Sequence, residues 1–343
     1  MWSRLRFRPR VVAAGGLLLA LAIAGAAAVE LWRPYMGFEG ELLLEIPKAT
    51  TTREMARILH KGGVIRREWP FLAARALRRD ATLHAGEYKF DRPASPWDVY
   101  GRIARGDVHY YAVRVPEGSN LFEIAEIVGR LRLFPKEEFL AAAREPSLIR
   151  ALAPDAVTLE GYLFPSTYHI TRRTTALELC RMMTDKFREV WRELDSGADV
   201  HATVTLASLV EKETAVAEER PLISSVFHNR LEQGMRLQCD PTTIYAALLD
   251  GGYRGTIFQS DLDRPHPYNT YQVAGLPPGP IANPGRESLE AVLTPAETDY
   301  IYFVAKADGS GAHTFSATLE DHNRAVSRFR DGANNAIRQK QAR

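Results

Sequence analysis

The sequence is poor in the features that mark disulfide-rich, metal-dependent and thiol-dependent proteins. Its 343 residues include two cysteines, Cys180 and Cys239, with no CxxC pair or histidine cluster around them, which indicates neither a zinc site nor a disulfide framework. A single disulfide between them stays open as an alternative to two free thiols. The chain also lacks the HExxH and GxSxG motifs, so we expect no metal, no cofactor and no serine or cysteine nucleophile.

A large excess of charge of one sign is missing as well. Lys and Arg number 44 against 42 Asp and Glu, which leaves a net charge of +2. Proteins that bind nucleic acid need many cations to neutralise phosphates, so we expect no nucleic-acid partner. Hydrophobic residues make up 45% and charged residues 25% of the chain, as in ordinary globular proteins, and the length allows two or three domains.

The N-terminal segment combines positive charge with a long apolar run. Residues 1–10 contain four arginines and no acidic residue, and residues 11–29 carry no charge. A helix of that length spans roughly the hydrocarbon core of a bilayer, and the arginines favour the cytoplasmic side. We therefore expect a cytoplasmic tail at 1–10, a transmembrane anchor at 11–29 and an extracytoplasmic remainder. A cleaved signal peptide is the alternative, although its apolar region is usually ~7–15 residues long.

An internal repeat organises the first half of the chain. The segment IPKATTTREMARIL, residues 46–59, aligns without gaps with VPEGSNLFEIAEIV, residues 115–128. Both copies are typical of a strand, a proline, a polar helix cap and an amphipathic helix. Two copies are too few for a stacked solenoid, so we predict a small α+β module over residues 41–150 with a duplicated strand–helix element.

From about residue 155 the pattern becomes mainly helical. Apolar periodicity and helix start and stop signals predict helices at 175–194, 203–214 and 219–233. Asp240 is predicted to cap a further helix, and YIYFVAK with HTFSA predicts a β-hairpin. The expected fold class is α+β: an N-terminal transmembrane helix, the small module, and a mainly helical domain with one hairpin at 155–335.

The segment ASLVEKET places two glutamates in apolar surroundings. On a helical wheel Glu211 shares a stripe with Val204, Ala207 and Ser208, whereas Glu213 lies on the opposite, leucine-rich stripe. The small side chains leave room for a ligand beside Glu211, which favours Glu211 for chemistry and Glu213 for a buried structural hydrogen bond. The alternative is a structural network in which both cap or pair with Lys212, Arg220 or Arg230, and the wheel alone slightly favours that alternative.

Several polar and aromatic side chains elsewhere in this half are candidates for binding a sugar. They supply hydrogen-bonding and stacking groups, although tyrosine and asparagine are also common in turns. The candidates are Asn229, Gln238, Tyr245, Tyr268, Asn269 and Tyr271.

Four segments resemble the YceG/MltG family of endolytic murein transglycosylases. They are LEGYLFPSTYHI (159–170), the run from ASLVEKET to QCDPTTIY (207–245), YNTYQVAGLPPGPIANPG (268–285) and HTFSATLEDHNRAV (313–326). The resemblance implies a membrane-anchored, exported enzyme with a LysM-like N-terminal module, which cleaves peptidoglycan glycan strands internally and terminates nascent strands. It implies that Glu211 is the catalytic acid, with Glu213, Glu160 and Asp240 in supporting roles. The implied partners are glycan strands, the membrane and peptidoglycan synthases.

The implied chemistry needs only one carboxylic acid, whereas most glycosidases use two. The glutamic acid protonates the glycosidic oxygen, then takes the proton of the C6 hydroxyl of N-acetylmuramic acid as a 1,6-anhydro ring closes. Apolar surroundings favour the protonated carboxyl with which this reaction starts. One departure from the family pattern, Cys239, falls at a position without an expected catalytic role. A water-using muramidase and a non-catalytic wall-binding scaffold are the competing functions.

Overall fold

Contacts along the chain divide it into two units. The first runs to Tyr111 and includes Thr171–Arg173, and the second comprises Ala112–Ile170 and the residues from Thr174 onward. The computed structural model describes the backbone of residues 9–341 and the side chains of residues 14–332. Most of the expected cytoplasmic tail at 1–10 therefore lies outside the described residues.

The first unit is a small α+β structure that follows an apolar helix. Its elements are α1 (Pro9–Trp32), β1 (Leu42–Ile46), α2 (Thr52–Lys61), α3 (Glu68–Leu77), β2 (Gly86–Phe90) and α4 (Pro96–Arg105). Strands β1 and β2 pair in antiparallel fashion, with Leu44 opposite Tyr88. One buried cluster draws on both strands and on α2, α3 and α4, through side chains such as Ile46, Leu59, Phe71 and Tyr100.

Helix α1 contains the apolar run. Residues Ala14–Trp32 have a mean hydropathy of 2.0, which by length and composition is enough to cross a membrane. The end of the helix packs within its own unit: Leu31 is buried, and the ring of Trp32 lies 5.6 Å from that of Trp97 on α4. Most of the helix is exposed, which is unlike the core helix of a globular domain.

The two copies of the repeat share backbone detail. Thr51 caps α2 and Asn120 caps helix α5 (Leu121–Leu131), and each side chain accepts a hydrogen bond from the backbone N–H three residues on. The aligned turn residues Ala49 and Gly118 both have positive φ, of 60° and 71°. The same strand–turn–helix arrangement thus occurs twice. We predicted both copies within one module over residues 41–150, and the boundary after Tyr111 places the first copy in the first unit and the second copy in the second unit.

The second unit is mainly helical, with two small antiparallel strand pairs. Its strands are β3 (Tyr111–Arg114), which begins at the boundary and pairs with β4 (Thr167–Ile170), and β5 (Tyr302–Ala305), which pairs with β6 (His313–Ser316). Besides α5, its helices are α6 (Lys136–Ala143), α7 (Ala176–Leu194), α8 (Val200–Glu213), α9 (Arg220–Glu232), α10 (Asp240–Leu249), α11 (Gln259–Leu262), α12 (Arg286–Leu293) and α13 (Leu319–Gln341).

The predicted helices at 175–194, 203–214 and 219–233 and the β-hairpin are confirmed as α7, α8, α9 and β5–β6. Helix α8 begins three residues early because Asp199 accepts a hydrogen bond from the N–H of Ala202 at 2.6 Å. The predicted capping role of Asp240 is wrong. Cys239 is the residue that precedes α10, and Asp240, the first helical residue, instead accepts a hydrogen bond from the Tyr271 hydroxyl.

Helix α8 is the central element of the second unit. Residues 203–210 are all buried, and α9, α10 and α12 pack against the helix. The stripe of Val204, Ala207 and Ser208, which we predicted to leave room for a ligand, faces a proline-rich loop. Ser208 accepts a hydrogen bond from the N–H of Ile281 in that loop at 3.0 Å. Cys180 and Cys239 are both buried free thiols. The burial of α8 fixes its last turn, which carries Glu211 and Glu213.

We expect Gly161→Ala to destabilise the second unit strongly. Gly161 has a φ of 87°, and an added Cβ would lie 2.4 Å from Pro280 Cγ and 2.8 Å from Val204 Cγ1. Backbone strain and overpacking together are expected to cost roughly 2–4 kcal/mol. Thermal unfolding of the full-length chain in detergent micelles measures the loss.

Gly309→Ala is the matched control for that substitution. Gly309 has a φ of 75°, but among the described residues no atom lies within 4 Å of its added Cβ. Its unfolding midpoint should fall only by the amount that corresponds to about 1 kcal/mol of backbone strain. Equal losses in the two variants would contradict the close packing around Gly161.

Candidate active site

The carboxyl group of Glu211 lies at the N-terminus of α12. Its Oε2 accepts a hydrogen bond from the backbone N–H of Gly285 at 3.0 Å and another from the hydroxyl of Ser288 at 2.7 Å. Gly285 is the N-cap residue of α12, and Ser288 lies in the first helical turn. Free N–H groups and the helix dipole favour negative charge at such a position. The two donors therefore fix one oxygen of Glu211 at a helix end where negative charge is favoured.

Two glycines enclose this half-buried side chain. A Cβ added to Gly118 would lie 3.4 Å from Glu211 Cγ and 3.9 Å from Oε1, so Oε1 faces Gly118 while Oε2 faces Gly285. Oε2 thus accepts two hydrogen bonds, whereas Oε1 is the oxygen directed toward the turn between β3 and α5.

The cations that we considered as partners of the two glutamates bind other groups. Lys212 donates to a backbone carbonyl at 3.1 Å, Arg220 pairs with Glu287 at 2.5 Å, and Arg230 donates to a backbone carbonyl at 2.7 Å. Among the ion pairs of the described side chains, none includes Glu211. Its carboxyl group is therefore held by neutral donors and has no compensating cation in direct contact.

A second buried carboxyl group, that of Glu160, joins three segments of the unit. Its Oε2 accepts hydrogen bonds from the N–H of Leu121 and the hydroxyl of Tyr245, and its Oε1 accepts one from the amide of Asn283, all at 2.9 Å. Glu160 is 2% exposed. Burial raises the pKa of Glu160 to about 8, while the hydrogen bonds act in the opposite direction.

Asn283 connects Glu160 to the two glycines beside Glu211. Its side-chain amide also donates to the backbone carbonyl of Ser119 at 2.8 Å. Its backbone carbonyl accepts a hydrogen bond from the N–H of Gly118 at 2.9 Å. Asn283 lies two residues before Gly285. The amide therefore holds the loop that supplies a donor to Glu211 against the turn that faces Oε1.

Glu213 belongs to a different polar cluster. Its side chain hydrogen-bonds to the buried thiol of Cys239, and burial raises the pKa of Glu213 to about 7 although the nearby His313 and Arg230 lower it. The carboxyl group of Asp240 also raises this pKa. The two glutamates of ASLVEKET thus contact separate sets of groups.

Tyr245 and Tyr268, two of the predicted substrate-binding residues, lie together beside Glu160. Their rings are 5.2 Å apart, and Tyr245 donates its hydroxyl to Glu160. Burial raises the pKa of Tyr268 to about 12, and the charge of Glu160 adds to the shift. Both phenols are therefore neutral hydrogen-bonding groups at physiological pH.

The other predicted substrate-binding residues make mainly structural contacts. The amide of Asn229 donates to the carbonyls of two residues before β5. That of Asn269 donates to three backbone carbonyls in and just after α11. Tyr271 donates to Asp240 at 2.6 Å, and Gln238 is exposed with a left-handed φ of 50°. A role for these residues in binding substrate stays a prediction.

Two open cavities lie beside the end of α8. One of about 500 Å³ has a largely apolar lining that includes Phe122, Tyr245 and Ile281, and one of about 720 Å³ is lined by Glu117 and other residues of the β3–α5 turn. Lys212 lines both, so both cavities reach the residue that follows Glu211. Their sizes suit a small-molecule or sugar ligand. Among the described side chains, no group of three or more His, Cys, Asp or Glu could hold a metal ion.

Several residues of this site were not singled out by sequence reasoning. The predictions missed Asn283, Gly285, Ser288, Gly118 and Glu117. Signals were present: ANPG ends a long proline- and glycine-rich loop directly before a helix, and PEG lies inside the repeat. Loops with this composition in front of a helix N-terminus are common places for anion and ligand contacts.

Comparison with known protein families shows to which family the chain belongs. The model of the YceG-like family matches residues 44–328, a range that includes Glu160, Glu211, Asn283 and both glycines. The chain belongs to the YceG-like family. The match covers parts of both contact units, so the similarity is not confined to the site.

Individual relatives agree with this assignment. An endolytic murein transglycosylase of Bacillus subtilis (strain 168) is 34% identical over 307 residues, which cover 83% of this chain and 84% of that protein. A protein of the same name from Streptococcus pneumoniae (strain D39) is 30% identical over 321 residues, and the chain spans 57% of its length. The crystal structure of a YceG-like protein from Listeria monocytogenes matches 84% of this chain and 99% of its own, with 32% identity and a TM-score of 0.54.

We expect the stability of the protein to fall as the pH rises toward 8. The pKa of Glu160 in the folded state, about 8, lies above its ordinary value of 4.5, so the folded state holds an extra proton between these values. The free energy of unfolding should therefore decrease across that range, by up to ~1.4 kcal/mol per pH unit for one such group. Denaturant unfolding of the full-length chain in detergent at several pH values measures this slope.

Glu160→Gln tests the source of the slope. It should flatten the pH dependence in part, with Glu213 responsible for another share between 4.5 and about 7. The same change at Glu189, an exposed residue of α7 paired with Lys186, should leave the slope unaltered. A Glu160→Gln variant with the slope of the unmodified protein would show that Glu160 does not hold the extra proton.

Proposed function

We propose that this YceG-like protein is a lytic transglycosylase that cleaves the bond between N-acetylmuramic acid and N-acetylglucosamine inside peptidoglycan glycan strands. The observation that carries the proposal is the carboxyl group of Glu211, with one oxygen held at the N-terminus of α12 and the other directed at a turn that lines an open cavity. The names and extensive similarity of the relatives support the substrate class.

The first step of this reaction is proton transfer from Glu211 to the glycosidic oxygen. The bond between that oxygen and C1 of N-acetylmuramic acid breaks, the N-acetylglucosamine end leaves as an alcohol, and positive charge develops on the muramic sugar. Glu211 becomes a carboxylate, whose charge is stabilised by the N–H of Gly285 and the hydroxyl of Ser288. These donors are in place before the reaction, so they need no rearrangement as the charge appears.

The second step closes the ring and restores the enzyme. The C6 hydroxyl of N-acetylmuramic acid attacks C1, its proton passes to the Glu211 carboxylate, and a 1,6-anhydro end is formed. One residue thus acts first as acid and then as base. No water enters the balance, so a second carboxyl group to activate water, as in a hydrolase, is not required.

We further propose that the chain is held in the membrane by α1, with its catalytic unit on the extracytoplasmic side. The uncharged run at 11–29 and the arginines before it support this orientation. The first unit is proposed to be a LysM-like module that holds the glycan, which its small α+β architecture supports. A membrane-held endolytic enzyme is suited to terminating nascent strands, and peptidoglycan synthases are the proposed partners in that task.

The product of cleavage separates this proposal from its competitors. The full-length chain in detergent would be incubated with uncross-linked glycan strands, and the products analysed by mass spectrometry. We expect 1,6-anhydro ends. Reducing ends without anhydro sugar would indicate a muramidase, and strands that are bound but intact would indicate a wall-binding scaffold; either result contradicts the proposal.

We expect Glu211→Gln to lower the rate of anhydro-end formation by at least about 100-fold, because the amide cannot donate the acidic proton. The variant should keep its fold, since the amide oxygen can still accept from Gly285 and Ser288. Glu213→Gln should retain the anhydro product. Loss of product in Glu213→Gln but not in Glu211→Gln would reverse the assignment of the two glutamates.

A further inference from the structure

The acidic side chain of Glu117 contacts Gly285, the glycine whose N–H is hydrogen-bonded to Glu211. A Cβ added to Gly285 would lie 2.3 Å from Glu117 Cδ and 2.3 Å from its Oε1, so the carboxyl group lies directly against Gly285. The N–H of Gly285 is bonded to Glu211 Oε2 at 3.0 Å. Because one residue contacts both, the two carboxyl groups are at most about 8 Å apart.

Glu117 is exposed to the open cavity of about 720 Å³, which Gly118 and Lys212 also line. It occupies the repeat position that holds Lys48 in the first copy, so the turn of the second copy differs from its counterpart in the sign of its charge. The carboxyl group thus lies on the ligand-accessible side of the glycine that binds Glu211.

The charges that act most strongly on Glu117 come from three elements, and Arg114, Glu123, Glu126, Arg130 and Lys212 line the same cavity. Glu211 lies on α8, Glu287 on α12, and Arg220 at the start of α9, where it is paired with Glu287 at 2.5 Å. Partial burial raises the pKa of Glu117, the charge of Glu211 raises it further, and Arg220 lowers it. The like charge of Glu211 acts on the pKa of Glu117 more strongly than the nearby cation Arg220 does.

We propose that Glu117 is a second acidic residue of the active site, whose carboxylate lies on the cavity side of Gly285 and stabilises the positive charge that develops on the muramic sugar. The inference rests on the function proposed above. The two residues have different tasks in the first step, since Glu211 donates the proton and Glu117 supplies negative charge on the cavity side. After the transfer, both are carboxylates facing a cationic sugar, which favours the charged intermediate over the neutral substrate.

The test is the pH dependence of anhydro-end formation by the full-length chain in detergent. Activity should fall as the pH drops through the pKa of Glu117, which lies above the ordinary glutamate value, because the protonated side chain supplies no charge. In Glu117→Gln, kcat should fall about 10-fold with KM changed less than about 2-fold, and this acid-side decrease should disappear. Glu117→Asp keeps the charge and should recover part of kcat together with the acid-side decrease.

Controls separate this role from a structural one. Glu189→Gln, the same change at a surface ion pair, should leave kcat and the pH profile unaltered. At about pH 8, Glu117→Gln should raise the midpoint of thermal unfolding slightly, and by less when Glu211→Gln is also present, because the repulsion needs both charges. This second measurement does not depend on activity.

The outcomes are distinct. An unchanged kcat in Glu117→Gln, a lowered kcat with the acid-side decrease retained, or an inactive variant whose unfolding midpoint drops by several degrees would each overturn the inference while leaving the proposed function standing. If the unmodified chain itself forms no anhydro ends, the proposed function fails first.

Discussion

The hydrogen bonds that Gly285 and Ser288 donate to Glu211 are the interaction on which the rest of the site depends. They place a carboxyl group at a helix N-terminus, where the backbone supplies positive potential without a cation. In the mechanism proposed above, a lysine or arginine in direct contact would hold the glutamate as a carboxylate and remove the acid. Neutral donors on one oxygen would leave the other free to carry and transfer a proton.

This arrangement includes a close backbone approach at Gly285, where an added Cβ would lie 2.3 Å from the carboxyl group of Glu117. At Gly118 an added Cβ would make an ordinary contact of 3.4 Å with Glu211 Cγ, but the φ of 71° favours glycine there. Asn283 ties the two segments together through backbone and amide hydrogen bonds, and Glu160 ties Asn283 to α5 and α10. Burial of Glu160 is costly in free energy, but its three hydrogen bonds offset part of that cost and hold the loops in register.

The internal repeat accounts for part of the backbone geometry of the turn at Gly118, but not for the acidic residue beside it. Both repeat copies have a strand, a left-handed turn residue and a side-chain cap at matching positions, as Ala49 with Thr51 and Gly118 with Asn120 show. Only the second copy combines a glycine in the turn with a preceding acid. The same backbone can thus serve as a plain connection in one unit and as a wall of the site in the other.

The sequence by itself determined the elements that depend on neighbours within one helix or hairpin. These are the apolar N-terminal helix, α7, α8 with its buried faces, α9 and the β5–β6 hairpin. Local periodicity and capping carry that information. It misjudged Asp240, whose partner Tyr271 lies 31 positions away. The choice of Glu211 over Glu213 came from the family resemblance. Only the tertiary structure decided that Glu211 meets Gly285, Ser288 and Gly118, and that Glu160 meets Asn283. These contacts join residues 74 to 123 positions apart or depend on two loops meeting, and no local pattern encodes such a distance.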